Sequence, residues 1–184
     1  MTDPIKIATE RFLLRPLTEH DVTERYLGWL RDSDAKKFIM AAARTEGLSD
    51  LKQYVCDRIG REDVLFLGIF EKITDRHIVN IKYEPVNPEG GYAIMGVLIG
   101  DPAYRGKAVT SEILQASAQW LKDHRNISQI LLGVNKDNLA AVRAYEKAGF
   151  VVADTPHIKK SRPGAITMAW CLKKPRTVDS LSAF

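Results

Sequence analysis

A short basic loop between an apolar run and a helical pattern carries the residues of this sequence best suited to bind an anion. The run 92–99 leads through residues 100–104 into Arg105-Gly106-Lys107-Ala108-Val109-Thr110. A helix that begins in this loop leaves backbone N–H groups unpaired at its N-terminus, and its dipole adds partial positive charge. Arg105 and Lys107 add full charges, and Gly106 lets the backbone come close to a ligand. The loop therefore predicts a site for phosphate groups.

Two other types of strand-to-helix loop must be compared with this one. A mononucleotide P-loop, G-x-x-x-x-G-K-[ST], sets a lysine and a hydroxyl beside phosphate and magnesium. Gly100 lies one residue too far from Gly106 and Lys107 for that pattern, and Ala108 stands where the hydroxyl is needed. The P-loop pattern therefore fails. An ordinary strand-to-helix turn that binds nothing is the other interpretation.

A second stretch, 138–150, combines the signals of a short helix with a phenol that could donate a proton. Asn138 suits the N-cap and Gly149 suits the position just after the helix. Tyr145 lies near the C-terminal end of the predicted helix, where it is either a proton donor or a packing residue of an amphipathic core helix.

Together the two stretches resemble the GNAT N-acetyltransferase superfamily. The loop is similar to the family's pyrophosphate motif R/Q-x-x-G-x-G/A, although Ala108 and Thr110 stand where the family usually has glycine. The second stretch is similar to the signature N-x-x-A-x-x-x-Y-x-K-x-G-F. The resemblance runs from about residue 10 to residue 172, and it implies transfer of an acetyl group from acetyl-CoA to a primary amine on a small molecule or a protein.

The resemblance also implies a role for each residue of these motifs. The strand before the loop would offer its backbone to the pantetheine arm, the loop would hold the pyrophosphate, and Asn138 would meet the arm from the far side. Tyr145 would contact the cofactor and act as the general acid that protonates the departing thiolate. The predicted cofactor-binding residues are Val97, Ile99, Arg105, Gly106, Lys107, Ala108, Val109, Thr110, Asn138 and Tyr145.

The base that would deprotonate the amine does not follow the family pattern. Relatives often carry Glu two residues before the position of Gly96, where this chain has Ile94. Glu84 is the nearest spare carboxylate and is the candidate base, with a solvated charge at a strand end as the alternative. Without a strong base, deprotonating a polyamine at neutral pH costs ~4–5 kcal/mol, whereas an α-amine costs only ~1–1.5 kcal/mol.

The acceptor is therefore predicted to be an amine of low pKa. A nucleotide-linked amino sugar is favoured, and a protein N-terminal α-amine or a polyamine is the alternative acceptor. A non-catalytic acyl-CoA-binding or sensor domain is the alternative of another class. In the family, the segment after the first strand forms one wall of the acceptor pocket. The candidate residues of that wall are Trp29, Arg31, Asp32, Asp34, Phe38 and Arg44.

Composition limits the remaining classes of function. The chain has 184 residues and 45% hydrophobic residues, which fits one globular domain over 1–172 with a loosely ordered polar tail over 173–184. The net charge of +4 comes from interspersed acidic and basic residues, so a nucleic-acid partner is not expected, while a mildly basic surface suits coenzyme A.

Metal, disulfide and membrane functions are also not expected. The four histidines show no ligand spacing, and Cys56 and Cys171 lie in apolar segments as buried free thiols would. No leader or membrane-spanning run is recognised, so we expect a cytoplasmic protein. Dimers are common in the family, which makes a homodimer possible.

The elements that must position these residues follow from hydrophobic periodicity and capping signals. We expect strands at 11–15, 64–70, 77–84, 92–99, 129–134, 151–153 and 165–172. Helices are expected after Thr18, from Ser49, over 110–123 and over 138–149. A helical crossover between 92–99 and 129–134 makes these two strands parallel, whereas the earlier strands form an antiparallel meander. The fold class is α/β (α+β), a mixed, mostly antiparallel central sheet flanked by helices on both faces, and the resemblance implies the GNAT acyl-CoA N-acyltransferase fold.

Overall fold

A computed structural model describes residues 4–32, 45–159 and 163–172. The strands of this part of the chain are β1 Ile7–Ala8, β2 Phe12–Pro16, β3 Leu65–Glu71, β4 His77–Asn87, β5 Tyr92–Ile99, β6 Gln129–Asn135, β7 Val151–Val152 and β8 Ala165–Cys171. The α-helices are α1 Glu24–Arg31, α2 Leu48–Cys56, α3 Val109–Arg125 and α4 Leu139–Ala148. Short 3-10 helices cover Glu19–Asp21 and Pro102–Tyr104.

The strands form one mixed sheet in the order β1-β2-β3-β4-β5-β6-β8-β7. Only the β5–β6 pair is parallel, because helix α3 carries the chain back across the sheet between them. All the other pairs are antiparallel. The predicted fold class, with its antiparallel meander and its parallel crossover, is confirmed.

Helices cover both faces of the sheet. On one face, α3 packs Ile113, Leu114 and Ala118 against the apolar side chains of the central strands. On the other face, α1 and α2 form a second apolar cluster that includes Leu27 and Leu51. These side chains recur every three or four residues along their helices, which is the spacing that puts them on one side.

Strands β5 and β6 separate after a short stretch of pairing. They pair from Tyr92 with Gln129 to Ile94 with Leu131, and no pairing between them is present beyond that point in the described residues. A gap therefore opens inside the sheet on the side where β5 leads into the basic loop.

The segment after β2 differs from its prediction, because two caps divide it. Thr18 and Asp21 form a capping box where the helix after Thr18 is expected, but this box caps only the 3-10 helix. Val22 is extended, and the side chain of Thr23 then caps α1 by accepting from Tyr26 N–H at 3.3 Å. The acceptor-wall segment consequently begins with a short helix that starts at Glu24.

Strand β4 also differs from its prediction, because it continues past residue 84. Glu84 and Pro85 oppose the single residue Ile94 of β5, and pairing resumes at Val86. This is a β-bulge, which accommodates a proline because proline cannot donate to the ladder. The strand ends at Asn87 rather than at Glu84.

The prediction that both cysteines are buried is wrong. Cys56 and Cys171 are free, but both are exposed. Cys56 follows the buried Val55 by one helical position, which turns its side chain away from the core, and it is the last residue of α2. Cys171 is the last residue of β8.

Three of the acceptor-wall candidates, Asp34, Phe38 and Arg44, and the predicted tail 173–184 lie outside the described residues. None of the helices that are described is long and apolar enough to cross a membrane.

Candidate active site

The gap between β5 and β6 presents backbone hydrogen-bonding groups of β5. The N–H of Gly100 donates to the carbonyl of Ile78 at 3.2 Å, which sets the alternation of hydrogen bonds between β5 and β4. By that alternation, the N–H and C=O groups of Val97 and Ile99 face away from β4 and into the gap. The structure therefore leaves these two predicted backbone sites available to an extended ligand.

The basic loop keeps its backbone donors unpaired. Among the described residues, none accepts a hydrogen bond from the N–H groups of residues 106–110. Gly106 has φ +73° and Ala108 has φ +56°, so the loop turns through two left-handed positions before α3 begins at Val109. Alanine is strained in this conformation, whereas glycine is not. The geometry is that of an anion site at the N-terminus of a 17-residue helix.

An ion-pair brace holds the outer side of this loop. Arg11 Nε lies 2.7 Å from Glu112 Oε2, and a terminal nitrogen of the same guanidinium donates to the Lys107 carbonyl at 3.1 Å. Thr9 Oγ1 donates to the other Glu112 oxygen at 2.6 Å. Burial raises the pKa of Glu112, but the hydrogen bonds from Thr9 and Arg11 outweigh burial and lower it. A charged Glu112 is thereby fixed in the first turn of α3.

Helix α4 positions Tyr145 as its capping signals predict. Asn138 Oδ1 accepts from Ala141 N–H at 3.2 Å, and Gly149 ends the helix at φ +106°. The Tyr145 ring lies 5.7 Å from the Phe150 ring, and in the described residues no group is hydrogen-bonded to its hydroxyl. Burial raises the pKa of Tyr145 to about 12. The phenol is therefore protonated at neutral pH, with its proton uncommitted.

One face of β5 is open at Gly96, and the open surface over Ile94 and Gly96 is called the groove below. Leu98 packs in the cluster of α1 and α2, so the alternate residues Ile94 and Gly96 face the same side. Gly96 is exposed, and among the described residues no atom lies within 4 Å of where its Cβ would stand. Space for an acceptor is thus present above Gly96, beside the gap in the sheet.

A charged cluster borders this groove on the side of β4 and α2. Lys82, which pairs with Gly96 across the two strands, donates to Tyr54 Oη and to Glu84 Oε2, both at 2.7 Å. Glu84 also receives Arg58 Nε at 2.9 Å and an Arg61 nitrogen at 3.0 Å. Three cations therefore surround one carboxylate.

This environment argues against Glu84 as the base. Burial raises the pKa of Glu84, but the hydrogen bonds and charges of Lys82 and Arg58 outweigh burial and lower it. A carboxylate stabilised in its ionised form by three cations is a poor proton acceptor. Glu84 instead anchors the cationic side chains that border the groove.

The three acceptor-wall candidates within the described residues, Trp29, Arg31 and Asp32, lie in different environments. Trp29 is buried, and its ring lies directly over Gly100, where a Cβ would meet it at 1.8 Å. Trp29 therefore holds α1 against the end of β5. Arg31 donates to the Glu46 carbonyl at 3.3 Å, and Asp32 lies 3.9 Å from an Arg105 nitrogen of the basic loop.

Sequence analysis did not single out the groove residues Lys82 and Tyr54. A signal for Lys82 exists in β4, where Asn80, Lys82 and Glu84 alternate with apolar residues and so share one face. Tyr54 has no comparable signal, because its place beside Lys82 depends on how α2 packs on the sheet.

Comparisons with known proteins agree on one family. A sequence model described as an acetyltransferase (GNAT) domain matches residues 11–151. An N-acetyltransferase 9-like protein of Caenorhabditis briggsae is 22% identical over 158 residues, which cover 80% of this chain and 77% of that protein.

Two solved structures show the same fold. RimL, a ribosomal-protein alpha-N-acetyltransferase in complex with coenzyme A, has a TM-score of 0.79 at 16% identity, with 91% of this chain and 98% of that chain covered. A spermidine N-acetyltransferase chimera from Vibrio cholerae and hSSAT has a TM-score of 0.74 at 17% identity, with 89% and 96% covered. The fold implied by the resemblance is confirmed.

Proposed function

Because this chain belongs to the GNAT acetyltransferase family, we propose that it transfers the acetyl group of acetyl-CoA to a primary amine of low pKa. The favoured acceptor is a nucleotide-linked amino sugar, a protein N-terminal α-amine is the second choice, and a polyamine is the least favoured. The observation that carries this choice is the cationic border of the groove.

Cofactor binding uses the two backbone features of the site. In the loop from Arg105 to Thr110, the unpaired N–H groups of residues 106–110 bind the pyrophosphate. The open edge of β5 at Val97 and Ile99 binds the pantetheine arm. Asn138 borders the arm from α4. Bound acetyl-CoA supplies an activated thioester, and holding it against the amine is worth ~7–11 kcal/mol of the barrier when the geometry is good.

Tyr145 donates the proton that the departing thiolate needs. A phenol with a pKa of about 12 gives its proton to an ordinary thiolate at a cost of roughly 5 kcal/mol. Contact with the developing negative charge on sulfur lowers that cost, because the phenol hydroxyl has no competing partner in the described residues. The raised pKa also ensures that the donor carries its proton over the whole working pH range.

The charges beside the groove select the acceptor. Lys82 lies across from Gly96. The three positive charges of Lys82, Arg58 and Arg61 exceed the two negative charges of Glu84 and of Asp63, which pairs with Arg61 at 2.6 Å. Nearby positive charge repels an ammonium ion and lowers the pKa of an amine. A polycation such as spermidine is therefore disfavoured, whereas an acceptor that carries phosphate groups gains from the same charges.

A comparison of three amines tests this proposal. Thiol release from acetyl-CoA gives kcat/KM at neutral pH for a UDP-linked amino sugar, an N-terminal peptide and spermidine. We expect the amino sugar to be acetylated most efficiently and spermidine least. A clear preference for spermidine would contradict the proposed acceptor, and acetyl-CoA binding without transfer to any amine would favour the non-catalytic sensor.

A further inference from the structure

We infer that His157 takes the proton from the acceptor amine. The inference rests on the proposed function and supplies the base that neither Ile94 nor Glu84 provides. His157 lies in the connection between β7 and β8, and its exposed imidazole stacks on the Tyr92 ring with the ring centres 4.0 Å apart and the planes at 19°. No signal in the local sequence marks this histidine, because the contact joins residues 65 positions apart.

The connection places His157 close to the point where the sheet opens. Tyr92 lies two residues before Ile94, the last residue of β5 that pairs with β6. The next residue of the connection, Ile158, packs over Gly133 of β6, with its Cγ2 3.6 Å from where a Cβ on Gly133 would stand. Residue 157 thus contacts β5 two residues before the last β5–β6 pair, and residue 158 contacts β6 two residues after that pair.

His157 also lies on the acceptor side of the sheet. Tyr92 shares a face with Ile94 and Gly96, because alternate residues of a strand point the same way. This face carries α1 and α2 and includes the open space above Gly96. The imidazole and the cationic cluster of Lys82, Arg58 and Arg61 therefore lie on the same face of the sheet.

The connection is held in place by its own hydrogen bond as well as by the stacked ring. The N–H of His157 donates to Thr155 Oγ1 at 3.2 Å, which closes a local turn. Because stacking covers only the face of the imidazole, the ring nitrogens at its edge remain accessible and one of them can accept a proton. Tyr92 is accordingly a positioning residue.

The acceptor nitrogen gives up two protons in this reaction. One ring nitrogen of neutral His157, directly or through a water, accepts a proton from the ammonium group and later releases it to solvent. The freed lone pair forms the C–N bond to the thioester carbonyl, and the C–S bond breaks with its electron pair on sulfur. The nitrogen loses a second proton to solvent, the sulfur gains the proton of Tyr145, and Tyr145 regains a proton from solvent. One proton is released to water for each acetyl group transferred.

The test compares His157→Ala and His157→Gln with the wild-type chain on the same three amines. We expect kcat/KM for the acceptor to fall ~10²-fold in both variants, with a larger fall for spermidine than for the amino sugar, because the amine of higher pKa depends more on a base. Added imidazole is expected to restore part of the rate of His157→Ala. Acetyl-CoA affinity by calorimetry and the thermal midpoint should stay unchanged.

His124→Ala is the matched control. His124 is an exposed histidine that stacks on Trp120 at 4.8 Å on helix α3, so its removal tests the loss of a stacked surface imidazole elsewhere. Tyr92→Phe keeps the stacked ring and should keep the wild-type rate, whereas Tyr92→Ala should lose activity.

The outcomes separate this inference from the proposed function. Wild-type kcat/KM in His157→Ala, or an equal loss for all three amines without rescue by imidazole, would overturn the role of His157 alone. Failure of the wild-type chain to acetylate any amine would overturn the proposed function and this inference with it.

Discussion

Arg11 and Glu112 join the start of β2 to the first turn of α3, with Arg11 Nε 2.7 Å from Glu112 Oε2. The pair places the negative charge of Glu112 close to the anion site, and Arg11 neutralises that charge. Arg11→Ala should therefore raise the acetyl-CoA KM about threefold to tenfold, because an unpaired Glu112 repels the pyrophosphate and the Lys107 carbonyl loses its donor. Adding Glu112→Gln should recover part of the affinity. An unchanged KM in Arg11→Ala would show that the brace does not affect binding.

The loop itself is tested by Arg105→Ala combined with Gly106→Val. The first change removes a charge, and the second places a β-branched side chain at φ +73°, where it displaces the ligand from the N–H groups. We expect a sharp rise in the acetyl-CoA KM with an unchanged circular dichroism spectrum. Calorimetry that showed wild-type affinity would disprove the assignment of the loop.

Ala108 offers a stabilising substitution in the same loop. Its φ of +56° strains alanine but suits glycine, which also stands at this position in the family motif that the loop resembles. Ala108→Gly should raise the free energy of unfolding by about 0.5–1 kcal/mol, after the extra entropy of glycine in the unfolded chain is subtracted. Chemical denaturation measures the change, and a loss of stability would mean that the loop relaxes at Ala108 in solution.

The Tyr145→Phe variant tests whether Tyr145 acts in catalysis or only in packing. The Tyr145 hydroxyl has no hydrogen-bond partner among the described residues, so its removal should leave stability unchanged while kcat falls ~10²-fold. Tyr83→Phe is the contrasting variant, because the Tyr83 hydroxyl is buried and lies 2.8 Å from Ser117 Oγ. That variant should lose about 1 kcal/mol of stability and keep kcat. Near-wild-type kcat in Tyr145→Phe would make Tyr145 a packing residue.

The carboxyl group of Asp21 makes part of the folding stability depend on pH. Burial raises the pKa of this carboxyl, but hydrogen bonds from Arg15 and Thr18 outweigh burial and lower it to about 2 from 3.8. A lowered folded-state pKa means that the contribution is complete above pH 4 and is lost as the pH falls toward 2. We expect Asp21→Asn to cost on the order of 1–2 kcal/mol at pH 7 and less at pH 2.5, as followed by urea unfolding. Equal losses at both pH values would contradict an electrostatic origin.

Local signals are sufficient to predict the backbone geometry of the proposed cofactor side of the site. The loop, the N-terminus of α3 and the caps of α4 at Asn138 and Gly149 are each set by neighbouring residues in the chain. Their predicted placement needed only the order of the elements and the crossover rule for parallel strands.

The acceptor side could not be predicted in this way, because it depends on packing between distant segments. The bulge at Glu84 and Pro85 sets two residues of β4 against Ile94. Helix α2 then brings Tyr54 to Lys82, and the turn after α2 brings Arg58 to Glu84. Glu84 was considered as a base because its three cationic partners are not evident from the sequence. The stacking of His157 on Tyr92 likewise joins two segments that no spacing rule relates.

The separation of β5 from β6 gives one strand two edges with different access to solvent. Hydrogen bonds to β4 protect the amides of Gly96 and Leu98, while those of Val97 and Ile99 face the gap and exchange their hydrogens with water much faster. An extended ligand that accepts from the open edge slows the exchange of those two amides alone. Alternate residues of a single strand thus report, by their deuterium uptake, whether the gap in the sheet is filled.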